Sequence, residues 1–62
     1  MTDLSKYPFV PLALSADGPV WGRTKDAFIV GDIRNPTLIL QSDIRDYRPI
    51  VYKDGEFIVE SL

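Results

Sequence analysis

The chain has 62 residues and a formal charge of −2, from seven basic and nine acidic side chains, and it contains neither cysteine nor histidine. This composition excludes disulfide bridges, thiolate or imidazole metal sites, and a strongly basic surface for nucleic acid. We expect one domain spanning residues 1–62, which buries only about 60% of the surface that its unfolded chain exposes. Such a domain is marginally stable, and association is the remaining source of support.

The amino-terminal residues 1–7 are expected to be flexible. Asp3 and Lys6 stand where a signal peptide would have a basic start followed by an apolar run, and no stretch approaches the roughly 20 apolar residues of a membrane span. We therefore predict a protein that does not enter a membrane. The lack of cysteine favours a reducing compartment, so the predicted location is the cytoplasm.

The first predicted β-hairpin joins residues 9–14 to residues 19–21 through a Ser-Ala-Asp-Gly segment. Pro11 has no amide donor, which places the first run at a sheet edge or a bulge. Trp21 is the only tryptophan, and two interpretations stay open for it: a core side chain or an exposed aromatic anchor.

Two short apolar runs, residues 27–30 and 37–40, are predicted to be strands. The loop between them is rich in turn formers, and its Gly31 and Pro36 would interrupt a helix drawn through both runs. Residues 42–48 are the one stretch that can hold a helical turn, with Ser42 or Asp43 as its cap and Pro49 as its stop.

The tripeptide Asp-Ile-Arg occurs twice, at residues 32–34 and 43–45, each time after an apolar triplet. Strand, acidic turn and proline recur in many small β-proteins, which is the simpler explanation. The alternative is that the two loops lie side by side and present Arg34 and Arg45 together.

The clearest local signal is a second hairpin over residues 50–59, where two β-rich runs flank Asp54 and Gly55. A two-residue turn at this pair sets Tyr52 opposite Phe57 and Lys53 opposite Glu56. Each of these cross-strand pairs supports the same register.

Apolar residues follow one another in all these strands instead of alternating with polar ones, so both faces of the sheet need cover. The predicted fold is all-β: a small antiparallel sheet, or a partly open SH3-like barrel, of five to six short strands with at most one short helical turn. We favour cover by a second copy or another protein over a barrel that covers itself. The predicted self-association residues are Leu38, Leu40, Val51 and Ile58.

The inventory predicts no enzyme, because the commonest general base and the most nucleophilic side chain are both missing. The carboxylates fall in turns and at strand ends, Asp43 and Asp46 supply only two oxygen ligands to a calcium ion, and the glycines are isolated. We therefore predict no cofactor and no metal.

The predicted function is contact with a protein partner, as an accessory or assembly subunit or a stoichiometric inhibitor of a larger protein, and small chains of this class include phage proteins by class-level analogy. The residue types enriched in interface anchors form the predicted partner-binding set: Trp21, Arg34, Arg45, Tyr47 and Arg48. The alternative is a small β-barrel that binds single-stranded nucleic acid, which the acidic neighbours of these arginines disfavour.

Overall fold

The computed structural model describes residues 4–60, which form six antiparallel strands in one open sheet. The strands are β1 (Ala13–Ser15), β2 (Gly18–Arg23), β3 (Ala27–Val30), β4 (Thr37–Leu40), β5 (Arg48–Lys53) and β6 (Glu56–Val59), in the order β4-β3-β2-β1-β5-β6. The all-β class is confirmed, and the open sheet is the architecture observed.

The hairpin of β5 and β6 has the predicted register, with Tyr52 paired to Phe57 and Lys53 paired to Glu56. Asp54 and Gly55 form its turn and take φ angles of 54° and 81°. These left-handed angles match the right-handed twist of the flanking strands, which is why an Asp-Gly pair fixes this register. The two aromatic rings meet edge to face, with centroids 5.0 Å apart.

The first hairpin is confirmed with a shorter first strand and a longer second strand than predicted, because residues 9–12 precede β1 and β2 extends over Gly18–Arg23. Its register pairs Ser15 with Gly18, so Ala16 and Asp17 form the turn. Gly18 follows that turn with φ 118°, and the Ser15 hydroxyl donates to the Gly18 carbonyl at 2.9 Å. The positive φ angle therefore falls at the first residue of β2.

The predicted strands at residues 27–30 and 37–40 are β3 and β4, and they pair along their full length. The helical turn lies elsewhere than predicted: it is a 3-10 turn at Leu4–Lys6, whereas residues 41–43 form a single hydrogen-bonded turn and residues 44–47 are irregular. The reason is the connection that residues 41–47 must make. They leave β4 at one edge of the sheet and cross β3, β2 and β1 to reach β5. Seven residues can span this distance only in a largely extended conformation, because a helical turn is too short per residue.

This crossover, residues 41–47, covers one face of the sheet. Its Ile44 and Tyr47 pack on a core formed by the buried residues Ala13, Val20, Phe28 and Val30, with Ile39 beside them. Alternation along the strands places the side chains of Leu38 and Leu40 on the other face, which we call the open face. Within the described residues, no helix is long and apolar enough to cross a membrane.

Candidate functional site

The free edge of the sheet, formed by β4, is the first candidate site. Leu38 is 65% exposed and Leu40 is 52% exposed, and both lie on the open face. Between them Ile39 turns to the covered face, where it packs against the core. One face of this strand therefore packs against the core, and the two leucines on its other face are exposed to solvent.

The other edge of the sheet, in the last hairpin formed by β5 and β6, also exposes large apolar side chains. It joins the rest of the sheet through β1, where Ala13 pairs with Pro49. Tyr52 and Phe57 are exposed on the open face, and Ile58 is 41% exposed on the opposite face. The crossover packs over the core of β1 to β3, and within this hairpin Ile50, Val51 and Val59 are half-buried.

The four predicted self-association residues thus occupy two places. Leu38 and Leu40 lie at the β4 end on the open face, whereas Val51 and Ile58 form a cross-strand pair in the last hairpin, on the covered-face side. Val51 is half-buried and the other three are exposed. The structure does not bring the four together as one surface.

A shallow depression of about 830 Å³ lies where the loops at one end of the sheet meet the amino-terminal segment. It brings together Trp21 and Arg34, two of the predicted partner-binding residues, with Tyr7. The Tyr7 ring meets the Trp21 ring edge to face, with centroids 5.9 Å apart and planes at 84°. This end depression is the second candidate site.

Trp21 is half-buried, which lies between the two interpretations left open for it. Its indole nitrogen donates to the Gly31 carbonyl, so the ring is fixed in orientation and its donor is already used. A β-bulge between Val20 and Gly22 places Trp21 as the extra residue of β2. A bulge redirects a side chain relative to its neighbours, and here it accompanies the turn of the indole toward the strand end.

The charges around the end depression balance. Lys6 and Arg34 line it together with Asp17 and Asp32, and the Lys6 ammonium lies 5.4 Å from the Tyr7 ring centroid. Two acids beside two bases leave the depression without net charge, which does not favour the single-stranded nucleic-acid alternative. Among residues 4–60 no group of three or more potential metal ligands of the His, Cys, Asp and Glu types occurs.

The remaining predicted partner-binding residues lie along the crossover and the start of β5. Arg45 is exposed, and its carbonyl accepts from the Ala16 amide at 3.0 Å. Arg48 is exposed opposite Leu14, whereas Tyr47 is half-buried and stacks on Phe28. One face of the Tyr47 ring is therefore already occupied by the protein itself.

The repeated Asp-Ile-Arg loops differ in role. In the first, the Asp32 carboxylate accepts from the Arg34 amide at 2.9 Å and closes a tight turn, and Ile33 is exposed. In the second, Ile44 packs on the core. The two loops approach the same end of the sheet, because Arg45 bonds to the β1–β2 turn and Gly18 lies next to Gly31.

Sequence reasoning did not identify Tyr7 and Lys6 as site residues. They fall in the stretch expected to be flexible, of which residues 1–3 lie outside the described part. Tyr7 follows the 3-10 turn, and its amide donates to the Leu4 carbonyl at 3.3 Å. The available signal was Tyr7 followed by Pro8, since proline restrains the residue before it to extended backbone.

Comparison with protein-family models, curated proteins and solved structures finds no match to this chain.

Proposed function

We propose that this protein works by contact with protein surfaces, without catalysis of its own, and that it self-associates. The observation that supports the proposal most is that large apolar side chains remain exposed near both edges of the sheet. Leu38, near one edge, and Tyr52, near the other, are among the most exposed. Wide exposed apolar patches are uncommon on monomeric proteins and mark contact sites when they occur. A second protein surface would remove these side chains from water.

Within residues 4–60, these side chains stay exposed although one face of the sheet is covered. The crossover contributes Ile44 and Tyr47 to the covered face, over the core residues of β1 to β3. Leu38 and Leu40 stand on the other face, and the last hairpin extends beyond the crossover. Since each Å² of apolar surface removed from water contributes about 25 cal/mol, association would add stability that the small core cannot supply.

A foreign protein partner would bind at the end depression. Trp21, Tyr7 and Arg34 line it, and the two aromatic rings are in edge-to-face contact. Tryptophan, tyrosine and arginine are the residue types most enriched among the energetic anchors of interfaces. With such a partner, the chain would act as an accessory or assembly subunit or as a stoichiometric inhibitor.

Self-association is tested by sedimentation equilibrium of the full chain over concentrations from about 1 µM to 1 mM, the range in which small interfaces of modest affinity are populated. We expect the weight-average mass to rise from that of the 7.0 kDa chain with concentration. We also expect the urea midpoint to rise with concentration, because a dimer that dissociates on unfolding is stabilised by mass action.

A mass that stays at the monomer value over this whole range would overturn self-association.

For the foreign partner, the sharp test is the double variant Trp21→Phe with Arg34→Ala, assayed for capture of a partner identified with the wild-type chain. Loss of capture by a folded variant is expected, and full capture would remove the end depression from the proposal.

A further inference from the structure

We propose that two copies of the chain pair through the outer edge of β4, antiparallel, about a two-fold axis that passes through Ile39. This inference rests on the proposed self-association and names its surface. In the sheet of the described residues, β4 stands at one edge and β6 at the other. The two edges differ in what they offer to a second copy.

Two residues of β4 point their backbone amide and carbonyl groups away from β3, toward the free edge of the sheet. The Gln41 amide donates to the carbonyl of Asp26, which immediately precedes β3, and the amide of Gly31, which immediately follows β3, donates to the Pro19 carbonyl of β2 on the other side. Hydrogen-bonding direction alternates along an antiparallel strand, so Ile39 bonds to β3 whereas Leu38 and Leu40 turn their backbone groups away from the sheet. An edge with outward amides and carbonyls is a template for another strand.

One register uses all of these groups. When Leu38 of one copy faces Leu40 of the other, Ile39 faces itself on the two-fold axis and four backbone hydrogen bonds form. Thr37 then faces Gln41, and every pair in the contact is uncharged. The Leu40 carbonyl, which also accepts from the Asp43 amide, keeps a second lone pair for the second copy.

The edge at β6 disfavours the equivalent pairing. The Glu60 amide donates to the Pro49 carbonyl of β5, so Phe57 and Val59 are the outward residues here. The matching two-fold register, centred on Ile58, sets Glu56 of each copy directly opposite Glu60 of the other. Like charges in directly opposed positions repel each other, and they occur twice in this arrangement.

A mixed contact of β4 with β6 is heterologous and leads to rings or open chains, whereas the β4 pair closes as a two-fold dimer. The β4 edge thus offers hydrogen-bonding groups, apolar cross-strand pairs and no charge repulsion. The contact involves few residues, so we expect a weak dimer rather than a permanent one.

The first test compares two lysine variants at equally exposed positions. Leu40, 52% exposed, and Phe57, 49% exposed, are replaced separately in Leu40→Lys and Phe57→Lys. A lysine on an edge strand blocks pairing, so Leu40→Lys should weaken dimerisation at least about tenfold, while Phe57→Lys should leave it within about threefold of wild type. Sedimentation equilibrium gives the association constants, and circular dichroism shows that both variants fold.

The second test reads the register. The chain has no cysteine, so single variants Leu38→Cys and Leu40→Cys report only the engineered contact. The two positions are a hydrogen-bonded pair in the proposed dimer, with Cα atoms roughly 5.5 Å apart, which suits a disulfide. An equal mixture should therefore form the mixed disulfide more often than random pairing of the two thiols gives.

The outcomes separate this inference from the proposed function. If wild type dimerises and Phe57→Lys alone abolishes the dimer, self-association stands and the β4 edge is overturned. If wild type stays monomeric at every concentration, both are overturned. A mixture of disulfides in random proportion would reject the register centred on Ile39.

Discussion

The ring of Tyr47 stacks on the ring of Phe28, with centroids 5.0 Å apart and planes at 27°. Phe28 lies in β3, and Tyr47 ends the crossover immediately before β5. Stacked aromatic rings contribute beyond the area that they bury. This pair therefore fastens the end of the crossover to the sheet and keeps one face covered.

Replacing Tyr47 by alanine should lower the free energy of unfolding by about 2–3 kcal/mol, which is less than the 3–5 kcal/mol of a fully buried aromatic because Tyr47 is half-buried. Tyr47→Phe keeps the stacked ring and should stay within about 0.5 kcal/mol of wild type. Urea unfolding followed by circular dichroism measures both. Equal stabilities for Tyr47→Ala and wild type would mean that the stack does not hold the crossover.

Two glycines of β2 should respond differently to alanine. Gly18 has φ 118°, and an added Cβ would lie 3.4 Å from the Gly31 Cα, so Gly18→Ala should lower the free energy of unfolding by about 1–2 kcal/mol. Gly22 has ordinary backbone geometry and would meet only the Ile29 Cδ1 at 3.7 Å. Gly22→Ala should therefore be neutral or stabilising by up to about 1 kcal/mol. Thermal unfolding of the two variants checks this order of stability. A Gly18→Ala variant more stable than Gly22→Ala would contradict the prediction.

The turn of the last hairpin offers a comparison of neighbours. Gly55→Val puts a β-branched residue at φ 81° and should cost about 1–2 kcal/mol of unfolding free energy, although open space surrounds the site. Asp54→Asn keeps a residue that tolerates a left-handed angle, so its cost should stay below about 0.5 kcal/mol. Chemical denaturation distinguishes them. Wild-type stability in Gly55→Val would show that the turn can change its type.

Because Trp21 is the only tryptophan, its fluorescence reports on the end depression alone. Tyr7→Ala removes the ring that meets Trp21 edge to face and should shift the emission to longer wavelength by exposing the indole to water. Tyr52→Ala, in the last hairpin, serves as the control and should leave the emission wavelength unchanged. An unshifted spectrum in Tyr7→Ala would place Tyr7 away from Trp21 in solution.

The local elements of this fold could be predicted from sequence because their determinants are neighbours in the chain. Asp54 and Gly55 admit only a tight turn, which sets the facing pairs of the last hairpin, including Tyr52 with Phe57. The apolar runs at β3 and β4, interrupted by Gly31, are likewise local signals. These predictions required no knowledge of the sheet order.

The arrangement of the strands was not predictable in the same way. Nothing local indicates that Ala13 pairs with Pro49, or that Ile44 and Tyr47 cross the sheet to fill the core. Apolar runs show that a strand has two faces to cover, but they do not show which strands are neighbours. For this reason the predicted self-association residues divide between the two ends, and Tyr7 beside Trp21 was missed.

The pairing of Ala13 with Pro49 joins positions that are 36 residues apart. Closing so long a loop costs entropy before any hydrogen bond is gained, so we expect this step to follow the formation of the local hairpins during folding. The same junction is the only strand pairing that holds the last hairpin to the rest of the described sheet. Amides of β5 that bond to β1 should therefore exchange with deuterium faster than those between β2 and β3, as the hairpin swings free in partly opened molecules.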